Sequence, residues 1–169
     1  MAERSADVIK RYVRDAVAAE KSFETQLQRF AKEVDNEPAK TVLQKHASET
    51  KQQHERLNDR LQNLEGSASS VRNFLPHIFG LGIKGVQDKR GRAPHELTIT
   101  YAVANSMLAM YECLATMAEA AGDAETAELA NEIQSEKRAM AQEIWNLLPA
   151  IALDAYKRVA TARSINTTA

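Results

Sequence analysis

A chain of 169 residues, 44% hydrophobic and 27% charged, is long enough to bury a core without disulfides. Its 22 Lys plus Arg against 23 Asp plus Glu leave a net charge of -1, too little field to gather nucleic acid or anionic lipid. No stretch approaches the roughly 20 apolar residues of a spanning helix. The start, MAERSADVIKRYVRD, has no apolar run of the secretory kind, so a cytoplasmic location with no membrane or nucleic-acid partner is expected. The lone Cys113, inside an apolar segment, excludes an intrachain disulfide and is expected to pack as a small hydrophobe.

The first helix is expected over about 5–34, with Ile9, Val13, Ala16, Phe23, Leu27, Phe30 and Val34 on one stripe and Glu20 in its gap. DNEP follows, where Asp35 or Asn36 can cap the next helix and Pro38 fits its first turn. The second helix, about 37–65, carries Leu43, Ala47, Thr50, His54, Leu57, Leu61 and Leu64 on one stripe. A connection this short makes the pair antiparallel.

Residues 66–94 collect glycines and prolines around VRNFLPHIFGLGIKGV and are expected to form a crossover with a short helix at roughly 69–79. The third helix, about 95–121, is apolar over most of its circumference, which suits a central position or a shared subunit face. Gly122 ends it and Asp123 caps the fourth, about 124–148, with Leu129, Ile133, Met140, Ile144 and Leu147 inward. Pro149 predicts a break, and then a tail helix over about 151–164 with Leu153, Tyr156 and Val159 or Ala160 inward. Two hairpins joined by one long crossover make a single all-α domain over 1–169, a ferritin-like antiparallel four-helix bundle with a short C-terminal helix.

Glu20 lies on a core stripe, where a carboxylate needs a partner or a metal, so either it leans to the bundle edge and pairs with a lysine or it faces other carboxylates across the bundle. Equal height across the two turns places Glu49 level with Glu20, and Glu112 near Glu132 and Glu136. Glu20, Glu49, Glu112 and Glu136 thus form a candidate carboxylate quartet, one per helix, with Gln53 and His54 beside it as further candidate ligands. A carboxylate-bridged metal pair also wants a Glu-x-x-His on two helices. The pairs here are Glu49-x-x-Gln52 and Glu136-x-x-Ala139, and both imidazoles are missing. His46 stands one turn before Glu49. Methionines 107, 110 and 117 read as core filler or a subunit interface.

The run from Tyr12 to Leu61 resembles the start of the YciF/YciE proteins, a ferritin-like family described as bacterial stress-response proteins. The likeness is carried by Ala19-Glu20-Lys21, His46, Glu49-Thr50 and Glu55-Arg56-Leu57. It returns at AEAAGD (118–123) and SEKRAMAQEI (135–144), so roughly two thirds of the chain is covered. The resemblance implies a homodimer with two bridged metals in the better-endowed members, and it matches Glu20 and Glu49 to metal-site glutamates. In the third helix the family usually places acidic residues and a histidine near what is here Ala104, Asn105 and Met107, and this sequence departs there. Two functions follow as expectations: a stress-associated helical scaffold, non-catalytic or with a degenerate metal site, acting as a dimer without a cofactor, or a di-iron or manganese oxidoreductase or metal-binding protein with Tyr101 or Tyr111 near its centre.

Overall fold

The computed structural model describes residues 5–64 and 91–166, with side chains as far as Thr161. Four helices make up those residues: α1 (Ser5–Glu33), α2 (Glu37–Asn63), α3 (Arg92–Ala121) and α4 (Ala124–Asn166). The crossover helix expected at 69–79 lies outside the described residues.

Local chemistry sets both tight turns. The Asn36 side chain caps α2 by accepting the Ala39 N–H at 3.0 Å, with Pro38 in the first turn where no donor is lost. At the second turn Gly122 takes φ 74°, a conformation a side chain disfavours, and lets the Asp123 N–H reach back to the Ala118 carbonyl at 2.9 Å. Asp123 then caps α4, accepting the Thr126 N–H and hydroxyl at 3.0 and 2.7 Å.

Ion pairs at the two ends fix the direction of each helix. Arg92 at the start of α3 meets Glu33 at the end of α1, 3.7 Å away, while Arg60 near the end of α2 meets Asp123 in the α3–α4 turn at 2.7 Å. α2 therefore ends at the opposite end of the bundle from where α3 begins. This placement of the two helix ends is the one the ferritin-like topology requires. α1 packs on α2 and α3 on α4, and the two pairs join through α1 on α3 and α2 on α4. Phe23, Phe30, Leu27, Leu43, Leu57, Leu61, Leu97, Met107, Leu114, Ile133 and Ile144 fill the interior.

The C-terminal part departs from expectation. α4 runs as one helix through Pro149, with no break before a separate tail helix. The lost N–H bond and the clash with the preceding turn are outweighed by packing that continues past the proline. Ile151 and Ala155 are buried, Asp154 accepts from Asn36 Nδ2 at 2.9 Å, and Arg158 approaches Asp35 at 3.8 Å. Since no break resets the helical phase, Leu153 and Tyr156 turn outward at 53% and 70% exposure. Cys113 is also exposed, on the outer side of α3, contrary to the inward packing expected of it.

Candidate functional site

Each helix sends its central residues to one level of the bundle, and Glu20 from α1 is fully buried there. Its Oε1 accepts the Tyr111 hydroxyl of α3 at 2.5 Å. Its Oε2 accepts the ammonium of Lys137, on α4, at 2.7 Å. Lys137 is itself fully buried, donates to Thr50 Oγ1 of α2 at 3.2 Å, and lies 4.9 Å from the centroid of the Phe23 ring. The two groups thus face each other in the buried core, with every helix contributing one polar group.

Burial opposes both charges. It raises the Glu20 carboxyl above the usual carboxylate range, although Lys137 and Tyr111 pull the other way. It lowers the Lys137 ammonium from its ordinary value, although Glu20 pulls that one up. Burial, and then the Glu20 charge, raise the Tyr111 phenol well above its normal value, so at neutral pH it stays a hydrogen-bond donor.

Of the expected quartet, only Glu20 reaches this centre. Glu49 has a side chain 41% exposed on the α2–α4 seam, hydrogen-bonded to His46 Nδ1 at 2.7 Å. Glu136 is 43% exposed, pairs with Arg56 at 2.6 Å, and accepts Gln53 Nε2 at 2.7 Å. Glu112 stands on the outer face of α3 and accepts from Gln134 at 2.6 Å. Each of these three sits one residue from the inward position, which belongs to Thr50, Lys137 and Tyr111 respectively. One step along a helix turns a side chain by about 100°, so a neighbour in sequence faces elsewhere. His54 is half-buried, and Gln53, at 0% exposure, holds the inward position of that turn.

Sequence reasoning missed Lys137 at the centre and gave Thr50 no polar role there. Tyr111, expected near a metal pair, instead donates to Glu20. A signal existed for Lys137, since it falls four after Ile133 and three before Met140, both buried.

The donor set does not fit a metal pair. At the level of the centre one inward carboxylate is present among the described residues, both of its oxygens are engaged by O–H and N–H donors, and an ammonium fills the space beside it, while the buried Glu24 one turn along α1 is held by Lys21 and Gln28. Among the described residues, no group of three or more His, Cys, Asp or Glu side chains is arranged to hold a metal ion. A groove of about 310 Å³ on the α2–α4 seam is lined by Lys45, His46, Glu49, Glu136, Met140 and Glu143. Its carboxylates are engaged: Lys45 reaches Glu143 at 2.7 Å, and His46 lies between Glu49 and Glu143. Burial holds His46 below its usual pKa against the pull of those two carboxylates.

Two antiparallel helix pairs, the second starting at the opposite end of the bundle from where the first finishes, with polar groups converging between them, define the ferritin-like class. The chain belongs to the DUF892 family, a domain of unknown function, whose model matches residues 5–157. In fold it is similar to a protein from Xanthomonas campestris pv. campestris, with TM-score 0.79 at 24% identity over 94% of this chain and 99% of that one. The E. coli stress protein YciF gives TM-score 0.76 at 22% identity over 89% and 98%. A ferritin-like, diiron-carboxylate protein from Bacillus anthracis gives 0.70 at 15% identity over 87% and 99%. The resemblance to the YciF/YciE proteins is borne out at the level of family and fold. Comparison with curated proteins returns no match. No helix among the described residues is long and apolar enough to cross a membrane.

Proposed function

We propose that this protein is a non-catalytic, stress-associated cytoplasmic scaffold that acts as a homodimer through the outer faces of α3 and α4. One observation carries the reading: a surface on which exposed aromatics adjoin a row of small side chains. Trp145 (57% exposed), Leu153 and Tyr156 stand on one side of α4, and Trp145 contacts Tyr101 of α3 with ring centroids 5.4 Å apart. Beside them the outer face of α3 exposes Ala102, Ala109, Cys113 and Thr116, and no Lys or Arg occurs between Arg92 and Arg138 other than the buried Lys137. Small side chains let a second helix approach closely, and exposed aromatic anchors are typical of protein–protein contact. The stress association rests on the likeness to YciF. The alternative, a carboxylate-bridged di-metal oxidoreductase, needs inward ligands that the described residues do not bring to the bundle centre.

Light scattering on the eluting protein at micromolar concentration is expected to give twice the chain mass of 18.7 kDa. The Trp145→Glu, Tyr156→Glu variant is expected to elute as a folded monomer, because burying an unpaired carboxylate in an interface costs several kcal/mol. A wild type that runs as a monomer refutes the dimer, and a variant that stays dimeric moves the interface elsewhere.

A further inference from the structure

In the metal-binding form of this architecture, a Glu from each of two helices and a Glu-x-x-His from each of the other two point inward, and divalent ions balance the carboxylates. The inward positions here read Glu20 on α1, Thr50-x-x-Gln53 on α2, Tyr111 on α3 and Lys137-x-x-Met140 on α4. Among the described residues, these inward positions hold no imidazole and only one carboxylate, while the buried His46 and Glu24 lie one turn away on α2 and α1. A single negative charge remains, facing a single positive one.

We propose that the Lys137 ammonium is the resident cation of this bundle, tethered by its own side chain in the place a metal pair would take, and that the site selects an alkylammonium ion over a divalent metal.

The contacts of Lys137 are those an ammonium wants. It has three N–H donors to place. The Glu20 carboxylate and the Thr50 hydroxyl accept at 2.7 and 3.2 Å, and the Phe23 ring offers its negative face 4.9 Å away. A small divalent ion would need several oxygens at about 2.0–2.2 Å, and an aromatic face gives it none. The next carboxylates outward, Glu49 and Glu136, are held by His46 and by Arg56 and Gln53. The Tyr111 hydroxyl occupies the second oxygen of Glu20, which closes the remaining position for a bridging ligand.

Chemical rescue tests the assignment. Truncation by Lys137→Ala removes a fragment equivalent to n-propylammonium, leaving Glu20, Thr50 and the Phe23 face in place. The variant is expected to melt well below wild type. Tens of millimolar n-propylammonium chloride is expected to raise its Tm by roughly 3 °C or more, while equal concentrations of sodium or tetramethylammonium chloride do not. The same additive is expected to leave wild type and the Glu20→Gln, Lys137→Ala variant unchanged. If Lys137→Ala does not fold alone, the yield of folded protein on refolding with n-propylammonium becomes the readout. Absence of rescue by either readout overturns the proposal.

Titrating wild type with Mn(II) and Zn(II) provides an independent arm. No Tm shift dependent on Glu20 is expected. Stoichiometric binding that raises Tm and disappears in Glu20→Gln would show the centre to be a metal site after all. Mass measured on the same samples keeps this result separate from the dimer reading, since rescue does not require a dimer.

Discussion

Replacing Lys137 by Met is expected to lower folding stability by about 3–5 kcal/mol at neutral pH, measured by urea unfolding. Methionine fits the space of the lysine stem, so packing changes little and the loss is electrostatic. What remains is the Glu20 carboxylate, fully buried, with the Tyr111 hydroxyl as its one hydrogen-bond donor. Burial already raises this carboxyl, and removing Lys137 takes away the largest opposing influence. The sign of the pH dependence follows. Because the folded-state pKa is above that of the unfolded chain, the folded protein takes up the extra proton as pH falls. The deficit in Lys137→Met is therefore largest near neutral pH, shrinks on acidification toward about 4.5, and shrinks again at alkaline pH as wild-type Lys137 loses its own proton. A deficit independent of pH would mean that the loss comes from packing.

The companion variant, Glu20→Gln with Lys137→Met, is expected to recover the whole of that loss and to exceed wild type by about 1–4 kcal/mol. Desolvating two ions costs several kcal/mol each, and their mutual attraction offsets that only in part. Burial acting against both charges in the folded protein points the same way. The amide introduced at position 20 would still accept the Tyr111 hydroxyl and carries no charge to desolvate. The sign of the double-variant result separates a pair that stabilises the fold from one kept for another purpose. A double variant less stable than wild type would make the ion pair a net contributor to folding.

Much of the architecture was legible because turn chemistry is local. Gly122 before Asp123, and Asn36 before Pro38, identify two tight turns from a few residues each. With only one long connection between the hairpins, few topologies remain. The C-terminus misled because proline was weighed as a local breaker, whereas Ile151, Ala155, Asp154 and Arg158 supply tertiary contacts that carry α4 past it. That error also set Leu153 and Tyr156 on the wrong side, since their orientation depends on the phase inherited from Ile144 and Met140.

At the centre, Glu20 stood out correctly as a core carboxylate. Its partners were chosen by chemical type, and the glutamates at 49, 112 and 136 each lie one residue off the inward phase. Phase alone would have selected Thr50, Tyr111 and Lys137. A lysine with no exposed surface runs against the usual cost of burying charge, which is why periodicity at 133, 137 and 140 was easy to discount. The identity of its partner, 117 residues away on α1, is set by tertiary packing and is not available to pattern reading.

Metal content tests the central claim most directly, on protein purified without chelator or affinity nickel and analysed before and after anaerobic incubation with Fe(II) and with Mn(II). The account predicts far less than one equivalent of either metal per chain, with no difference between wild type and Glu20→Gln. About two equivalents of iron or manganese per chain, lost in Glu20→Gln, would contradict it and return the protein to the carboxylate-bridged di-metal group.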